Sequence, residues 1–282
     1  MSPRKAITRD GSPTLYSERF DQHYHNMAGA LTESRHVFFE RTGLIRALES
    51  HRDFTVFETG FGTGLHLLLL EWLRRESGSR SHIRFYSVEN YPVDDVLIRQ
   101  MEYPVLFPGM DHFITKLQEL ADVLHSASSG DFVRLECADD ALSGSGSKIG
   151  DTESGDDSPR LSAAIFRGDF YDLKSSQVRQ PVHFFLHDAF SPKANPELWS
   201  QNAFAKLHAL ADKKAVLGTY ASATEARAAM ILAGWHVARC AGPPGKREMT
   251  LASPDETMLS GHKRVNEHRL RERFGGCGQA GL

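Results

Sequence analysis

The sequence predicts an α/β layered fold on a mostly parallel sheet, and three observations carry that expectation. From about residue 54 onward, short β-branched or aromatic runs alternate with longer Leu- and Ala-rich stretches, the order expected of strands and their crossover helices. The first run, FTVFE at 54 to 58, leads through a glycine-rich turn into the apolar LHLLLLEWLRR. The last two runs, WHVARC at 235 to 240 and KREMTLA at 246 to 252, are separated only by AGPPG. That connection is too short for a crossover helix, so the two should form an antiparallel pair at one edge.

Between these ends the elements follow in order. IRFYSVE (83 to 89) reads as the second strand, followed by helix-like DDVLIRQ and FITKLQELADVLH. DFVRLECADD and RLSAAIFRGD flank a Ser/Gly/Asp-rich insert at 139–160, expected to be a flexible acidic loop at the tip of a hairpin. VHFFLHD (182 to 188) and AVLGTY (215 to 220) supply further strands, with PELWSQNAFAKLHALAD and TEARAAMILAG as helices.

Bulk composition narrows the function classes. At 282 residues with 40% hydrophobic content the chain can bury a sizeable core. No run of about 18 apolar residues predicts a membrane helix, and the polar start, MSPRKAITRDGSPTLYSERF, lacks the apolar stretch of a signal peptide. Cys137, Cys240 and Cys277 are odd in number and form no CxxC pair, which fits neither a disulfide framework nor a zinc site and suggests a reducing cytoplasm. The net charge of −3 conceals six acids against Lys148 and Arg160 in the insert. The tail, GHKRVNEHRLRERF at 261 to 274, has five Lys/Arg against two Glu. The body is therefore near neutral, without the strongly basic surface that announces nucleic acid by itself.

The glycine turn ETGFGTGLH (58 to 66) sits between the first strand and first helix, where a dinucleotide fingerprint would lie. A phosphate-binding GxGxxG requires glycine at 65, where this chain has Leu65. The loop matches instead an acid-x-Gly-x-Gly-x-Gly pattern, with Glu58 as the acid and Gly60, Phe61, Gly62, Thr63 and Gly64 following. This is the pattern of a class I S-adenosylmethionine-dependent methyltransferase, a Rossmann-like fold with a mostly parallel sheet and an antiparallel last strand. A carboxylate at 58 would repel a diphosphate and complement a ligand bearing a sulfonium and an amino group. Glu89, ending the second strand, stands where ribose hydroxyls are read, and Asp169 in FRGDF ends another strand and could approach the adenine.

VHFFL runs into Asp188 and the string HDAFSPKANPELW. Asn195 is the better helix N-cap, with Pro196 at its favoured first position, so Asp188 is left facing the ligand edge of the sheet. An acceptor amine must be neutral to attack, and a free alkylamine near neutrality is mostly protonated. Asp188 is therefore the candidate for orienting that amine, while Phe190 can stack on a planar base. Deprotonation by an ordinary carboxylate is the weaker expectation.

FDQHYHNMAGALTESRHVFFERTGL (20 to 44), FETGFGTGLHLLLL (57 to 70), VENYP (88 to 92), FRGDFYDL (166 to 173), HDAFSPKANPELWSQNAFAKL (187 to 207) and PPGKREM (243 to 249) together resemble the methyltransferase domain of MnmC-type tRNA-modification enzymes. The resemblance runs over roughly residues 16 to 253. It implies S-adenosyl-L-methionine as donor and the wobble 5-aminomethyl-2-thiouridine of tRNA as acceptor, giving 5-methylaminomethyl-2-thiouridine. It further implies a stand-alone form without the oxidase domain, supplied by a separate oxidase or aminomethyl-forming enzyme. His66 departs from the family, where asparagine is common. The expected organisation is an N-terminal extension at 1–45 covering the cofactor site, a methyltransferase domain at 46–253 and a basic tail at 254–282.

A tRNA anticodon-loop partner requires phosphate contacts, and Lys193, Lys246, Arg247 and the tail are the candidates. Tyr24 and His36 are candidates for covering the cofactor. No metal is expected, because His23, His25 and His36 lack a nearby acidic or cysteine partner in sequence, and no membrane is expected. A small-molecule amine methyltransferase and a catalytically silent RNA-binding protein are the competing readings on the same fold.

Overall fold

The computed structural model describes residues 3–137 and 159–276. The acidic insert expected at 139–160 lies outside the described residues except for Pro159 and Arg160, as does Cys277. The N-terminal residues form an antiparallel sheet of β1 (Arg4–Ile7), β2 (Pro13–Ser17) and β3 (Gln22–His23). This sheet escapes sequence reading because its strands are short and mostly polar. Next come α1 (Ala30–Ser34), a π-helical turn at Arg35–Glu40 and α2 (Leu44–Glu49).

The body begins with β4 (Phe54–Thr59), α3 (Leu65–Glu76) and β5 (Ile83–Glu89), followed by α4 (Asp95–Arg99), α5 (Tyr103–Leu106) and α6 (Asp111–Ser126). The hairpin β6 (Phe132–Cys137) and β7 (Leu161–Arg167) precedes β8 (Val182–His187), α7 (Gln201–Leu210) and β9 (Ala211–Thr219). After α8 (Thr224–Leu232) come β10 (His236–Ala241), β11 (Glu248–Ser253), β12 (Lys263–Arg264) and α9 (Glu267–Phe274).

Among the described residues the main sheet has the order β12-β10-β11-β9-β8-β4-β5-β7-β6. The pairs β9-β8, β8-β4, β4-β5 and β5-β7 are parallel, which confirms the expected α/β architecture. Every residue of β4 is buried, as a central parallel strand covered on both faces requires. β6, at the sheet edge, instead alternates buried and solvated positions, the pattern of a strand with one wet face.

The antiparallel pair β10-β11 is present as expected, but not as the edge itself. β11 inserts between β9 and β10, and β12 from the C-terminal segment pairs along the outer side of β10. The segment read as a basic tail thus supplies the edge strand, and α9 packs beside α8.

The helix expected over PELWSQNAFAKLHALAD is also divided. Pro196–Trp199 is a 3-10 turn, and α7 starts at Gln201 behind its N-cap Ser200, whose hydroxyl accepts from the Ala203 N–H at 3.1 Å. The helix stops at Leu210 because Ala211 pairs with Val182 in the sheet, so strand pairing overrides local helix propensity.

Successive residues of the central strands feed opposite faces of the sheet. Val56 and Phe184 join the core with Leu67, Leu68, Phe38 and Phe113, while Phe57 and Phe185 join Phe204 and Trp235. Truncating Phe57 or Trp235 to alanine would cost about 3–5 kcal/mol. This double-sided packing fixes the strand ends that carry the site.

Candidate active site

β4, β5, β7 and β8 run in the same direction, so the residues following them gather at one edge. They border an open cleft lined by Glu58, Phe61, Glu89, Asp169 and Asp188. Its floor is the turn after β4, where Gly62 and Gly64 hold φ of 56° and 73°. A Cβ on Gly64 would stand 2.7 Å from Leu117, and one on Gly62 would stand 3.3 Å from the Tyr24 ring. Side chains are thus excluded where the backbone must both turn and admit neighbours. Gly60 lies beside the Asp188 carbonyl, 3.6 Å from where its Cβ would be. Phe61 and Thr63 are buried in the turn, and Tyr103 donates to the Thr63 hydroxyl at 2.8 Å.

Glu89 reaches back across this turn. It accepts from the Gly62 N–H at 2.9 Å and from the Tyr91 N–H at 2.7 Å. Each of its oxygens keeps a second lone pair for a ligand hydroxyl. Burial raises its pKa against the lowering influence of those N–H groups and of Arg167. Asp169 accepts from the Tyr171 N–H at 2.8 Å and borders the same cleft. The acids read from sequence at 89 and 169 are therefore brought together.

Glu58 and Asp188 lie deeper. Glu58 is 1% exposed; Ser87 donates to its Oε2 at 2.7 Å, and His66 Nδ1 lies 2.7 Å from its Oε1. Burial drives its pKa well above the ordinary carboxylate range. The carboxyl expected from sequence to face the ligand thus already has internal partners, and no buried cation among the described residues offsets its desolvation. Asp188 is likewise raised, first by burial and then by Glu33 and Glu58, with Lys246 opposing. Its Oδ2 lies 3.9 Å from His66 Nε2.

Other expectations change when the chain folds. Phe190 stacks on Phe20 at 4.3 Å and meets Tyr24 edge-on at 5.2 Å, so one face is covered by the N-terminal segment. Lys246 is bound to Glu33 at 2.7 Å and lies 4.1 Å over the Tyr220 ring. It is therefore half-buried and paired within the fold, unlike Lys193 and Arg247, which are exposed. Tyr24 lines the cleft, whereas His36 turns away to the Ala241 carbonyl at 2.9 Å. Asn195 precedes the 3-10 turn without capping it, and its Oδ1 is buried without a partner among the described residues.

Sequence reasoning missed Glu33, Ser34 and Tyr220, and treated His66 only as a departure from a pattern. Glu33 and Lys246 are 213 positions apart, and no local periodicity links them. For His66 a signal existed. A histidine two positions into the first helix, eight after Glu58, marks a polar group on an otherwise apolar helix.

A Rossmann-type sheet with a glycine turn after its first strand, acids at its next strand ends and a buried carboxyl at the cleft defines an S-adenosyl-L-methionine-dependent methyltransferase. Residues 155–255 match the model of a family described in those words. The chain belongs to that class and is homologous to part of the MnmC proteins. It is 30% identical over 239 residues to the tRNA 5-methylaminomethyl-2-thiouridine biosynthesis bifunctional protein MnmC of Burkholderia mallei (strain SAVP1), covering 84% of this chain and 33% of that one. The B. pseudomallei (strain K96243) protein of the same name is 30% identical over 241 residues, with the same coverage. The chain thus spans about a third of the length of these relatives. The crystal structure of MNMC2 from Aquifex aeolicus superposes with a TM-score of 0.68 at 22% identity, covering 96% of this chain and 76% of that one, and shares its fold.

The residues present fit S-adenosyl-L-methionine. The glycine turn leaves room that a Cβ would fill at 62 and 64, Glu89 retains lone pairs beside it, and the unpartnered Asn195 Oδ1 stands at the cleft. No helix among the described residues is long and apolar enough to cross a membrane.

Proposed function

We propose that the chain methylates a primary amine on tRNA, converting wobble 5-aminomethyl-2-thiouridine to 5-methylaminomethyl-2-thiouridine. The observation that carries this reading is the partly buried Asp188 carboxyl directly after β8, bordering the cleft beside the glycine turn and with its pKa raised. The cofactor supplies an electrophilic methyl on a sulfonium. Glu89 and Asp169 would hold its hydroxyl and amino groups, with Gly60 to Gly64 as the backbone cradle. Asp188, a stronger base than an ordinary carboxylate when ionised, would take one proton from the substrate ammonium, and the freed lone pair would form the new N–C bond as the methyl–sulfur bond breaks, its electron pair staying on the sulfur of a neutral thioether. The product amine keeps its remaining protons, and Asp188 later releases its proton to solvent.

The tRNA assignment is supported by the names of the relatives, which are tRNA-modification proteins over their full length. A wobble base in a single-stranded loop can be splayed into a cleft at modest cost. Exposed Lys193 and Arg247 are suited to phosphate. The aminomethyl substrate would come from a separate enzyme, and the setting would be the cytoplasm.

The test is mass spectrometry of nucleosides from tRNA lacking this methyl group, before and after incubation with protein and cofactor. A methylaminomethyl species is expected. Methylation of free small amines with none on tRNA would replace this reading, and no product on either would leave an RNA-binding protein.

A further inference from the structure

Asp188 is the proposed base, yet no side chain holds it in place. Among the described residues no hydrogen bond reaches its carboxyl, and His66 Nε2, at 3.9 Å from Oδ2, is beyond that range. Its aim into the cleft therefore depends on the backbone to either side. Upstream, β8 pairs with β4 through Leu186 and His187, which anchors the chain up to the residue before it.

Downstream, three elements hold three successive residues. The Tyr220 hydroxyl donates to the Ala189 carbonyl at 2.8 Å, and Trp199 Nε1 donates to the Phe190 carbonyl at 2.7 Å. Gln22 takes Ser191 by its hydroxyl and its N–H. Of the three, Tyr220 acts closest to Asp188. It follows directly on β9, whose parallel pairing with β8 brings the two strand ends side by side. Its ring meets Trp199 edge-on at 5.9 Å, and the Lys246 ammonium lies 4.1 Å over it, itself tied to Glu33 at 2.7 Å. Burial first, and then the charges of Asp188 and Glu33, raise its pKa well above the ordinary phenol value, so the hydroxyl keeps the proton it donates. Ala189 is 5% exposed, and a buried carbonyl that loses such a donor is left unsatisfied.

We infer that Tyr220 is a positioning residue for methyl transfer: by pinning the Ala189 carbonyl to the end of β9, its hydroxyl leaves only residues 188 and 189 between two anchored points and so fixes the aim of the Asp188 carboxyl. Trp199 and Gln22 hold the residues beyond, and act on Asp188 only through this bond's neighbour. The role in methyl transfer rests on the proposed function; the clamp does not.

Tyr220→Phe removes the hydroxyl and keeps the ring. Amide hydrogen exchange of the whole chain without cofactor, read by mass spectrometry, should be several-fold faster in peptides covering 188–191 and unchanged in those from α6. Equal exchange over 188–191 overturns the clamp, and faster exchange throughout the chain would mark Tyr220 as a residue of global stability and overturn it too. In single-turnover tRNA methylation at saturating cofactor, the variant should be slower by about tenfold or more, with affinities for S-adenosyl-L-methionine and tRNA within about twofold of wild type. A hydroxyl with a merely structural role would leave that rate intact. An unchanged rate, or a loss confined to either affinity, overturns the positioning role. A wild-type chain inactive on tRNA, with the local change in exchange still present in Tyr220→Phe, would sink the proposed substrate and leave the clamp standing.

Discussion

Phe20 lies on Phe190 with ring centroids 4.3 Å apart and planes 22° from parallel. A residue between β2 and β3 thus covers the loop that follows Asp188. Gln22 secures the same closure, donating to Ser191 Oγ at 2.6 Å and accepting from the Ser191 N–H at 3.2 Å. The N-terminal segment is therefore a wall of the cleft. An aromatic pair contributes about 0.5–1.5 kcal/mol beyond its buried area. Phe20→Ala should weaken S-adenosyl-L-methionine binding roughly 3- to 10-fold by that loss. Isothermal titration reads it directly, and an unchanged Kd would mean that the wall plays no part in holding the cofactor.

The cations separate into two kinds. Lys246 is held by Glu33 and the Tyr220 ring, while Lys193 and Arg247 are exposed. On a single-stranded site, each phosphate that a cation neutralises contributes about 0.7 to the salt slope of binding. Lys193→Ala and Arg247→Ala should each flatten the salt dependence of tRNA affinity by about that much. Lys246→Met should leave the slope intact and reduce stability, since Glu33 is left without its partner inside the fold. Fluorescence anisotropy from about 50 to 200 mM salt, a range over which such slopes are well resolved, provides the comparison. A flattened slope for Lys246→Met would return that residue to the phosphate surface.

Asp188 sets a limb in the pH profile. Its pKa is raised by burial and by Glu33 and Glu58, and the ionised form is the base. Methyl transfer should therefore fall as pH decreases through a value above the ordinary aspartate figure of about 3.9. Asp188→Asn should reduce single-turnover rates by about 10² or more and remove that limb, with cofactor affinity largely kept. A wild-type profile with no limb above about pH 4 would show that Asp188 is not the base.

These groups differ in how far the sequence reveals them. The alternation of runs indicates the α/β sheet, and the acid and glycine spacing locates Glu58, Gly60, Gly62, Gly64, Glu89 and Asp169, because strand ends and turns are local features. Asp188 is legible for the same reason, as a charge terminating the apolar VHFFL. What surrounds it is not local. Glu33 reaches Lys246 and Ser34 reaches His66 only because folding brings α1 against the β10–β11 turn and against α3. The raised pKa of Glu58 follows from desolvation, which depends on the folded surroundings rather than on residue type. The edge strand β12 has two residues, too few to show a period.

Buried neutral histidines make stability depend on acid. His66 and His187 are 3% and 1% exposed, and burial lowers each to about 3. The His187 ring packs edge-on against Trp199 at 4.5 Å, with the Leu198 backbone as its one opposing influence. In the unfolded chain these histidines titrate near about 6.5, so below that pH the unfolded state binds protons that the folded state refuses. Their contribution is thus fully present above about pH 6.5 and is lost as pH falls toward about 3, each adding a slope of about 1.4 kcal/mol per pH unit. Phenylalanine at 187 keeps an aromatic ring against Trp199 and removes the titrating group. Urea unfolding of wild type and His187→Phe at about pH 7.5 and 5.5, on either side of the unfolded value, should show a smaller loss on acidification in the variant. Parallel losses would mean that His187 takes up its proton in the folded protein, with a pKa close to its unfolded value.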